Sequence, residues 1–342
     1  MMCGICGFYS KNSLTFNNVI QKMNSAISHR GPDSTGVWQD NTSGIILGHQ
    51  RLSIIDLSDA GNQPMMSNSG RFVLTYNGEI YNHLEIRGEL QNIDSKIKWK
   101  GNSDTETLLE AIEIWGIEKT LQKIIGMFSF GIWDKKNQDL TLARDRIGEK
   151  PLYYGWQGNG DNKVFLFGSE LKALKQHPEF KGEINRNVIA LHLRNNSIPD
   201  PYSIYKDIYK LLPGHYIQLK ANHLKNGSLP EHKIYWSLIE TALNGINNRF
   251  KTSKEEIQRD LENNLQLSIE QQMISDVPLG AFLSGGIDSS TVVALMQSKS
   301  NRPVKTFTIG FSEDDLNEAE DAKKIAKYLG TEHTELYVSP EK

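Results

Sequence analysis

The sequence predicts two folds in series: an α+β first part and an α/β second part built on a parallel sheet. Three observations carry that prediction. Up to residue 250, short β-rich runs and helical periodicities are mixed without regular alternation, the pattern of an α+β domain. From Ser253 onward, strand and helix signals alternate as βαβαβ, which implies a parallel sheet with right-handed crossovers. The 342 residues give room for two domains at about 150 residues each.

The elements follow in chain order. Met1-Met2-Cys3-Gly4-Ile5-Cys6-Gly7 opens as a candidate first strand. Asn17–Ser28 has helical periodicity, and Arg30–Gly36 reads as a turn. Ile45–Leu47 and Phe72–Tyr76 are β-rich, and Asn77-Gly78 behind the latter is a hairpin-turn signal. Asp104–Trp115 is helical, with Ser103 as N-cap and acids in the first turn. Met127–Trp133, Leu140–Ala143 and Val164–Gly168 read as strands. Gly155, Gly158 and Gly160 lack dinucleotide-loop spacing and read as a hairpin loop. Pro199–Pro201 and Pro213–Gly214 punctuate the approach to a boundary. Ala221–Pro230 is polar and reads as a surface loop, and Gly245–Ser253 as a second polar stretch. Domains are therefore expected at 3–218 and 251–342, with 219–250 as linker.

In the second part, Ser253 and Glu256 form a capping box. The helix they open carries Ile257, Leu261, Leu265 and Ile269 on one face, and Val277-Pro278 ends it. Leu279–Leu283 is a short strand, Ser284–Ser290 a Gly- and Ser-rich loop, and a helix runs on through Met296. Lys305–Phe311 is a strand, Asn317 and Glu320 cap a helix that ends near Gly330, and His333–Val338 is a third strand.

Composition narrows the function classes. Apolar residues at 38% plus 28 glycines fall in the globular range, enough to bury a core without staples. A net charge of −3 gives no general electrostatic case for nucleic acid or an anionic membrane as partner. No apolar run reaches the length of a spanning helix, and the N-terminus lacks a signal-peptide pattern. Two cysteines build no disulfide framework, so a reducing cytoplasm is the expected compartment.

Cys3 and Cys6 admit three readings. They are small hydrophobes in a strand, a redox or zinc pair, or, for Cys3, an N-terminal nucleophile. No second Cys pair or spaced His cluster supports zinc; His29, His49 and His83 stand apart. A Cys3 freed of Met1 and Met2 would carry a thiol of pKa about 8.5 and an amine of about 7.7–8.0. Such an amine is matched to act as the thiol's base near neutral pH. Four further segments bear on this reading: Arg30-Gly31-Pro32-Asp33-Ser34-Thr35-Gly36, His49–Asp56, Tyr76-Asn77-Gly78-Glu79-Ile80-Tyr81-Asn82, and Ser103-Asp104-Thr105-Glu106. Each alone is a turn, a strand or a helix cap.

Taken together, these segments and Ala143–Tyr154 resemble a class II glutamine amidotransferase, one of the N-terminal-nucleophile hydrolases, over most of residues 3–218. The resemblance implies an αββα sandwich of two antiparallel sheets. It makes Cys3 the nucleophile on the glutamine amide, with Asn77 and Gly78 as oxyanion donors. It sets Arg51 on the substrate α-carboxylate, where a planar bidentate donor suits, and Glu79 and Asp104 around the rest of the substrate, Asp104 at its ammonium.

The loop Ser284-Gly285-Gly286-Ile287-Asp288-Ser289-Ser290 lacks Walker-A spacing. Lying between strand and helix, it resembles the pyrophosphate loop of ATP pyrophosphatases. A class II glutaminase followed by such a loop resembles glutamine-dependent asparagine synthetase. Ser275–Gly280 and Thr306–Phe311 resemble that family as well. The resemblance places Leu283 and Ile309 against the adenine or ribose of ATP. Ser284, Gly285, Gly286, Ser289 and Ser290 would hold phosphate, with Asp288 acting through Mg²⁺. Glutamine, aspartate and ATP are the implied small-molecule partners, and the family is often a homodimer. Two relatives of this reading stay open: an amidotransferase working on another carboxylate, and a non-catalytic relic.

Two departures shape the expectations. Met2 is not the small second residue that methionine aminopeptidase requires, so translation is expected to start at Met2 and leave Cys3 first. The sequence from Ser290 to Lys342 contains no second Ser-Gly loop, no acidic aspartate site and no phosphate-binding lysine of the family. The α/β part is therefore expected to be incomplete, and this polypeptide alone to support only glutamine hydrolysis.

Overall fold

A computed structural model of the chain describes residues 3–11, 18–311 and 317–339. The expected start of the first helix at Asn17 and the processing of Met1 and Met2 lie outside those residues. Contacts divide the chain into Met1–Asn247 and Asn248–Lys342.

In the first unit the strands are β1 (Gly4–Ser10), β2 (Ser34–Asp40), β3 (Ile45–Arg51), β4 (Met65–Met66), β5 (Phe72–Ile80), β6 (Gly126–Asp134), β7 (Asp139–Arg144), β8 (Tyr153–Gln157), β9 (Val164–Gly168), β10 (Ile208–Lys210), β11 (His215–Leu219) and β12 (Lys233–Ile234). The helices are α1 (Val19–Ala26), α2 (His83–Ile93), α3 (Asp104–Trp115), α4 (Ile117–Lys123), α5 (Leu171–Leu174), α6 (Arg186–Asn195), α7 (Ala221–Asn226) and α8 (Leu238–Asn247). One six-stranded sheet has the order β10-β8-β9-β1-β3-β2 and the other β12-β11-β7-β6-β5-β4. Every neighbouring pair in both is antiparallel.

Strand alternation explains the layering. In β1, Ile5 and Tyr9 join the core between the sheets, while Cys6 and Phe8 turn the other way onto α1 and α5. In β5, Val73 enters the same intersheet core, while Phe72, Leu74 and Tyr76 meet α2 and α3. Three apolar cores thus separate four layers, helix, sheet, sheet and helix, the αββα order that the resemblance implies. Strands buried on both faces read as unbroken apolar runs, which is why GICGFYS shows no polar alternation.

Several expectations change. Asn77-Gly78 is no hairpin turn but the middle of β5. Glycine is needed there because a Cβ would stand 2.3 Å from the Met127 carbonyl oxygen on β6. Ala221–Pro230 is not all loop: α7 forms because Leu224 buries into the intersheet core, and Gly227 at φ 63° ends it. The expected linker 219–250 carries α7, β12 and α8, and β12 hydrogen-bonds to β11. The hairpin between β8 and β9 is as expected.

His49 on β3 is fully buried, and its Nε2 donates to the Tyr76 carbonyl oxygen at 3.0 Å. Burial, with a smaller contribution from Arg51, pushes its pKa from 6.5 down to about 4. The ring stays neutral in the folded chain, whereas the unfolded chain takes up a proton below pH 6.5. Stability is therefore lost as pH falls from 6.5 to about 4. The slope is about 1.4 kcal/mol per pH unit for this one group. His49→Gln is expected to flatten the acid limb by that amount in urea titrations run across this range. An unchanged limb would remove the assignment.

In the second unit, α9 (Lys254–Gln272), β13 (Gly280–Phe282), α10 (Ile287–Lys299), β14 (Lys305–Phe311), α11 (Ala319–Leu329) and β15 (Glu332–Val338) alternate as expected. The sheet order is β13-β14-β15, and both pairs are parallel. The capping box forms in both directions between Ser253 and Glu256. The helix stops at Gln272, well before Val277-Pro278, and its Leu261 and Leu265 are exposed. Asn317 and Glu320 do not form the expected cap; Asn317 Oδ1 accepts from the Ala319 N–H instead. Leu283, Val293, Ala322 and Ala326 make a small core on one side of the sheet. Phe307, Ile309 and Phe311 are exposed, and they alternate along β14 with buried Thr306 and Thr308. Among the described residues no helix is long and apolar enough to cross a membrane.

Candidate active site

A cavity of about 240 Å³ opens in the first unit beside the start of β1. Cys3, Arg51, Asn77, Gly78, Glu79 and Asp104 all line it, so the fold gathers every residue expected around the glutamine.

Cys3 is half-buried, and its Sγ accepts from the Leu52 N–H at 3.3 Å. Its carbonyl oxygen accepts from Arg30 Nε at 3.0 Å, and Arg30 is itself held by Glu170 at 2.8 Å. Those contacts fix the backbone that presents the sulfur. Desolvation and the Asp104 charge raise the thiol pKa, while the Leu52 N–H and Arg51 oppose them. The net effect is a thiol rather than a preformed thiolate at neutral pH, so attack needs a base. Cys6 is no partner for it. Cys6 lies on the α1 side, buried, with its Sγ 3.1 Å from Asn24 Oδ1, and both cysteines are free.

Asn77 is 1% exposed on β5, and its Nδ2 has no hydrogen-bond partner among the described residues. A buried amide left unpaired costs about 1–3 kcal/mol, the kind of cost found where a group awaits a ligand. Gly78 supplies a second donor. The N–H and C=O of Phe128, its register partner, both go to Asp145, so Gly78 faces β6 as a non-hydrogen-bonded pair. Its N–H leaves the same edge of β5 as those of Tyr76 and Ile80, which go to Gln63 and Asp104.

Arg51 is locked by the Ser58 and Asp56 carbonyl oxygens and by Asn62 Oδ1. By donor count, Nε–H and one Nη2–H remain for a carboxylate among the described residues. Asp104 opens α3 behind the Ser103 N-cap, and its carboxylate accepts from Tyr76 Oη, Ile80 N and Thr105 N at 2.8–2.9 Å. Burial raises its pKa against those bonds. Burial and the Asp104 charge raise that of Glu79, and Lys150 opposes them.

Sequence reasoning missed Arg30, Leu52, Tyr76, Met127 and Lys150. The signal for Lys150 was the Ala143–Tyr154 segment, whose Asp145 folds the loop. Its Oδ1 accepts from the Ile147, Gly148 and Glu149 N–H groups, and its Oδ2 from those of Phe128 and Lys150.

A family model described as a glutamine amidotransferase domain matches residues 2–236. The chain belongs to that family. A second model, described as asparagine synthase, matches residues 260–342. A putative glutamine-hydrolysing asparagine synthetase 2 of Methanocaldococcus jannaschii is 35% identical, over 98% of this chain and 65% of its own length. Glutamine-hydrolysing asparagine synthetase 1 of Bacillus subtilis is 33% identical, over 99% of this chain and 51% of its own. The chain thus spans about half to two thirds of the length of these amidotransferase relatives. A solved glutamine phosphoribosylpyrophosphate amidotransferase from B. subtilis superposes with TM-score 0.47 at 15% identity, over 97% of this chain and 65% of that one.

In the second unit, the expected loop residues form a knot of hydroxyls at the start of α10. Ser284 Oγ and Ser289 Oγ are 2.8 Å apart, Ser289 Oγ accepts from the Ser284 N–H, and Ser290 Oγ donates to the Gly286 carbonyl oxygen at 2.6 Å. Gly285 and Gly286 are exposed, Gly286 is the N-cap, and Asp288 lies in the first turn. A cavity of about 250 Å³ is lined by Leu283, Ser284, Ser289 and Ile309 but not by Gly285, Gly286, Asp288 or Ser290. No cluster of three metal-ligating side chains occurs among the described residues.

Proposed function

We propose that the first unit hydrolyses glutamine with Cys3 as nucleophile. The observation that carries this is the unpaired Asn77 amide, buried in the wall of the cavity that holds the Cys3 sulfur. Sγ attacks the side-chain amide carbon, and the oxyanion is received by Asn77 Nδ2 and the Gly78 N–H. The α-amine of a chain beginning at Cys3 takes the thiol proton and passes it to the departing nitrogen. The C–N bond breaks and ammonia leaves a thioester. Water then cleaves the thioester to glutamate and restores the thiol. Arg51 holds the α-carboxylate; Glu79 and Asp104 hold the α-ammonium.

The matched asparagine synthase segment and the hydroxyl loop support the second half of the reading. In it, the whole protein adenylates the side-chain carboxylate of aspartate with ATP, releasing pyrophosphate. Ammonia displaces AMP to give asparagine. The backbone of Gly285 and Gly286 and the hydroxyls of Ser284, Ser289 and Ser290 take phosphate, with Leu283 and Ile309 against the nucleoside. A single carboxylate beside hydroxyls suits Mg²⁺ carried largely by phosphate and water, with Asp288 as the chain's own ligand. The reading includes a cytoplasmic protein that works as a homodimer.

Asn77→Ala is expected to lower kcat for glutamate release about 10²–10³-fold with KM little changed. The test is steady-state hydrolysis by protein whose N-terminal residue is Cys3 by intact mass. Equal loss in KM and none in kcat would remove Asn77 from the oxyanion site. Active protein that retains Met2 would remove the α-amine as base.

A further inference from the structure

The strand that carries Asn77 and Gly78 loses one neighbour just before them. β4 pairs with β5 only at Met65 with Leu74 and Met66 with Val73, while β6 follows β5 as far as Ile80. Continued upstream in the same register, β4 would set Gln63 opposite Tyr76 and Gly61 opposite Gly78. The Gly61 carbonyl oxygen would then take the Gly78 N–H and close that donor to substrate. The chain instead leaves a short helical turn at Asp59–Gly61 and joins the edge of β5 only at Met65.

Side chains stand in for the missing strand. Gln63 Oε1 accepts from the Tyr76 N–H at 2.7 Å, and Asp104 Oδ2 accepts from the Ile80 N–H at 2.9 Å. A strand would satisfy every donor along this edge. Two side chains satisfy the outer two and spare Gly78 between them. Gln63 is 8% exposed and lines the cavity. Its Nε2 donates to Thr105 Oγ1 at 3.3 Å, in the first turn of α3. Thr105 follows Asp104, which accepts from the Thr105 N–H and from Tyr76 Oη. Gln63, Tyr76, Asp104 and Thr105 thus close a ring of hydrogen bonds. Tyr76, the residue before the oxyanion pair, is held at its N–H by Gln63, at its carbonyl oxygen by His49 and at its hydroxyl by Asp104. A primary amide suits the Gln63 position, since it accepts from a backbone N–H and donates to a hydroxyl while adding no charge to the cavity.

We propose that Gln63 is a positioning residue for the oxyanion site, fixing the edge of β5 at Tyr76 so that Asn77 and Gly78 are held in place while the Gly78 N–H stays open to substrate. Gln63 touches no reacting atom; it acts through β5. This rests on the glutaminase reading above and adds to it the group that holds the oxyanion strand.

The test is steady-state glutamine hydrolysis by Gln63→Met, alone and combined with Asn77→Ala, in protein beginning at Cys3. Methionine is of similar length and removes both hydrogen bonds. kcat is expected to fall about tenfold with KM within about twofold. The oxyanion forms only on the way to the intermediate, and Arg51, Glu79 and Asp104 still hold the substrate. In the Asn77→Ala background the same substitution is expected to cost no more than about threefold, since one of the donors it positions is already gone. Thr105→Val cuts only the Nε2 contact and keeps the Tyr76 N–H paired, and it is expected to lower kcat about threefold. If Gln63→Met does not fold, Thr105→Val decides, and a wild-type kcat there overturns the proposal. Full additivity of Gln63→Met with Asn77→Ala, or a KM rise with kcat unchanged, also overturns it, while wild-type hydrolysis keeps the glutaminase reading. Wild-type protein beginning at Cys3 that releases no glutamate overturns both.

Discussion

Cys3→Ala is expected to abolish glutamate release from glutamine, by about 10⁴-fold or more, because Cys3 carries the only thiol among the described residues that line the cavity. The half-buried side chain loses one sulfur and two weak contacts, with the Leu52 N–H and the Leu52 carbonyl oxygen. The scaffold around it is held by backbone and by Arg30, which binds the Cys3 carbonyl oxygen rather than its side chain. The variant should therefore fold and still bind glutamine, since Arg51, Glu79 and Asp104 are untouched. Isothermal titration on the variant measures that binding, and a coupled glutamate assay measures the chemistry. Binding retained with hydrolysis lost assigns Cys3 to the bond-making step. Hydrolysis within tenfold of wild type would move the nucleophile elsewhere.

Asp145→Asn carries the largest expected loss of stability. The carboxylate is 1% exposed and accepts from the N–H groups of Phe128, Ile147, Gly148, Glu149 and Lys150. An asparagine amide can turn its oxygen to only one side. The other side would set an NH₂ against at least two N–H groups that have no other acceptor in the loop. Stranding such donors costs about 1–3 kcal/mol each, so a loss of about 3–5 kcal/mol is expected. All six tryptophans lie in the first unit, so tryptophan fluorescence in urea reads that unit alone. A midpoint within experimental error of wild type would mean that the loop holds itself without Asp145.

How far the sequence went can be seen element by element. Val164–Gly168, Asp104–Trp115 and Lys305–Phe311 were legible because their apolar pattern and bounding turns are local. The capping box at Ser253 was legible for the same reason. Asn77-Gly78 misled because the dipeptide that favours a tight turn also suits a strand where two backbones nearly touch, and only β6 reveals that approach. Ala221–Pro230 misled because a short helix held by one buried leucine has almost no signature of its own. Lys150 was within view in Ala143–Tyr154, but a lysine following Gly-Glu gives no sign of being buried.

The sequence by itself determined the residue types of the site and the order in which they arrive: a cysteine near the start, then Arg51, Asn77-Gly78-Glu79 and Asp104. Chemistry of that kind is written in side chains and in local spacing. Only the tertiary structure decided that these residues, up to about a hundred positions apart, share one cavity with an orphaned amide and a second cation. The physical reason is that hydrogen-bond satisfaction and desolvation belong to pairs of strands and loops, not to any segment. Asn77 is unpaired because its strand neighbours leave it so, and Lys150 is buried because Asp145 and Arg144 hold its backbone there.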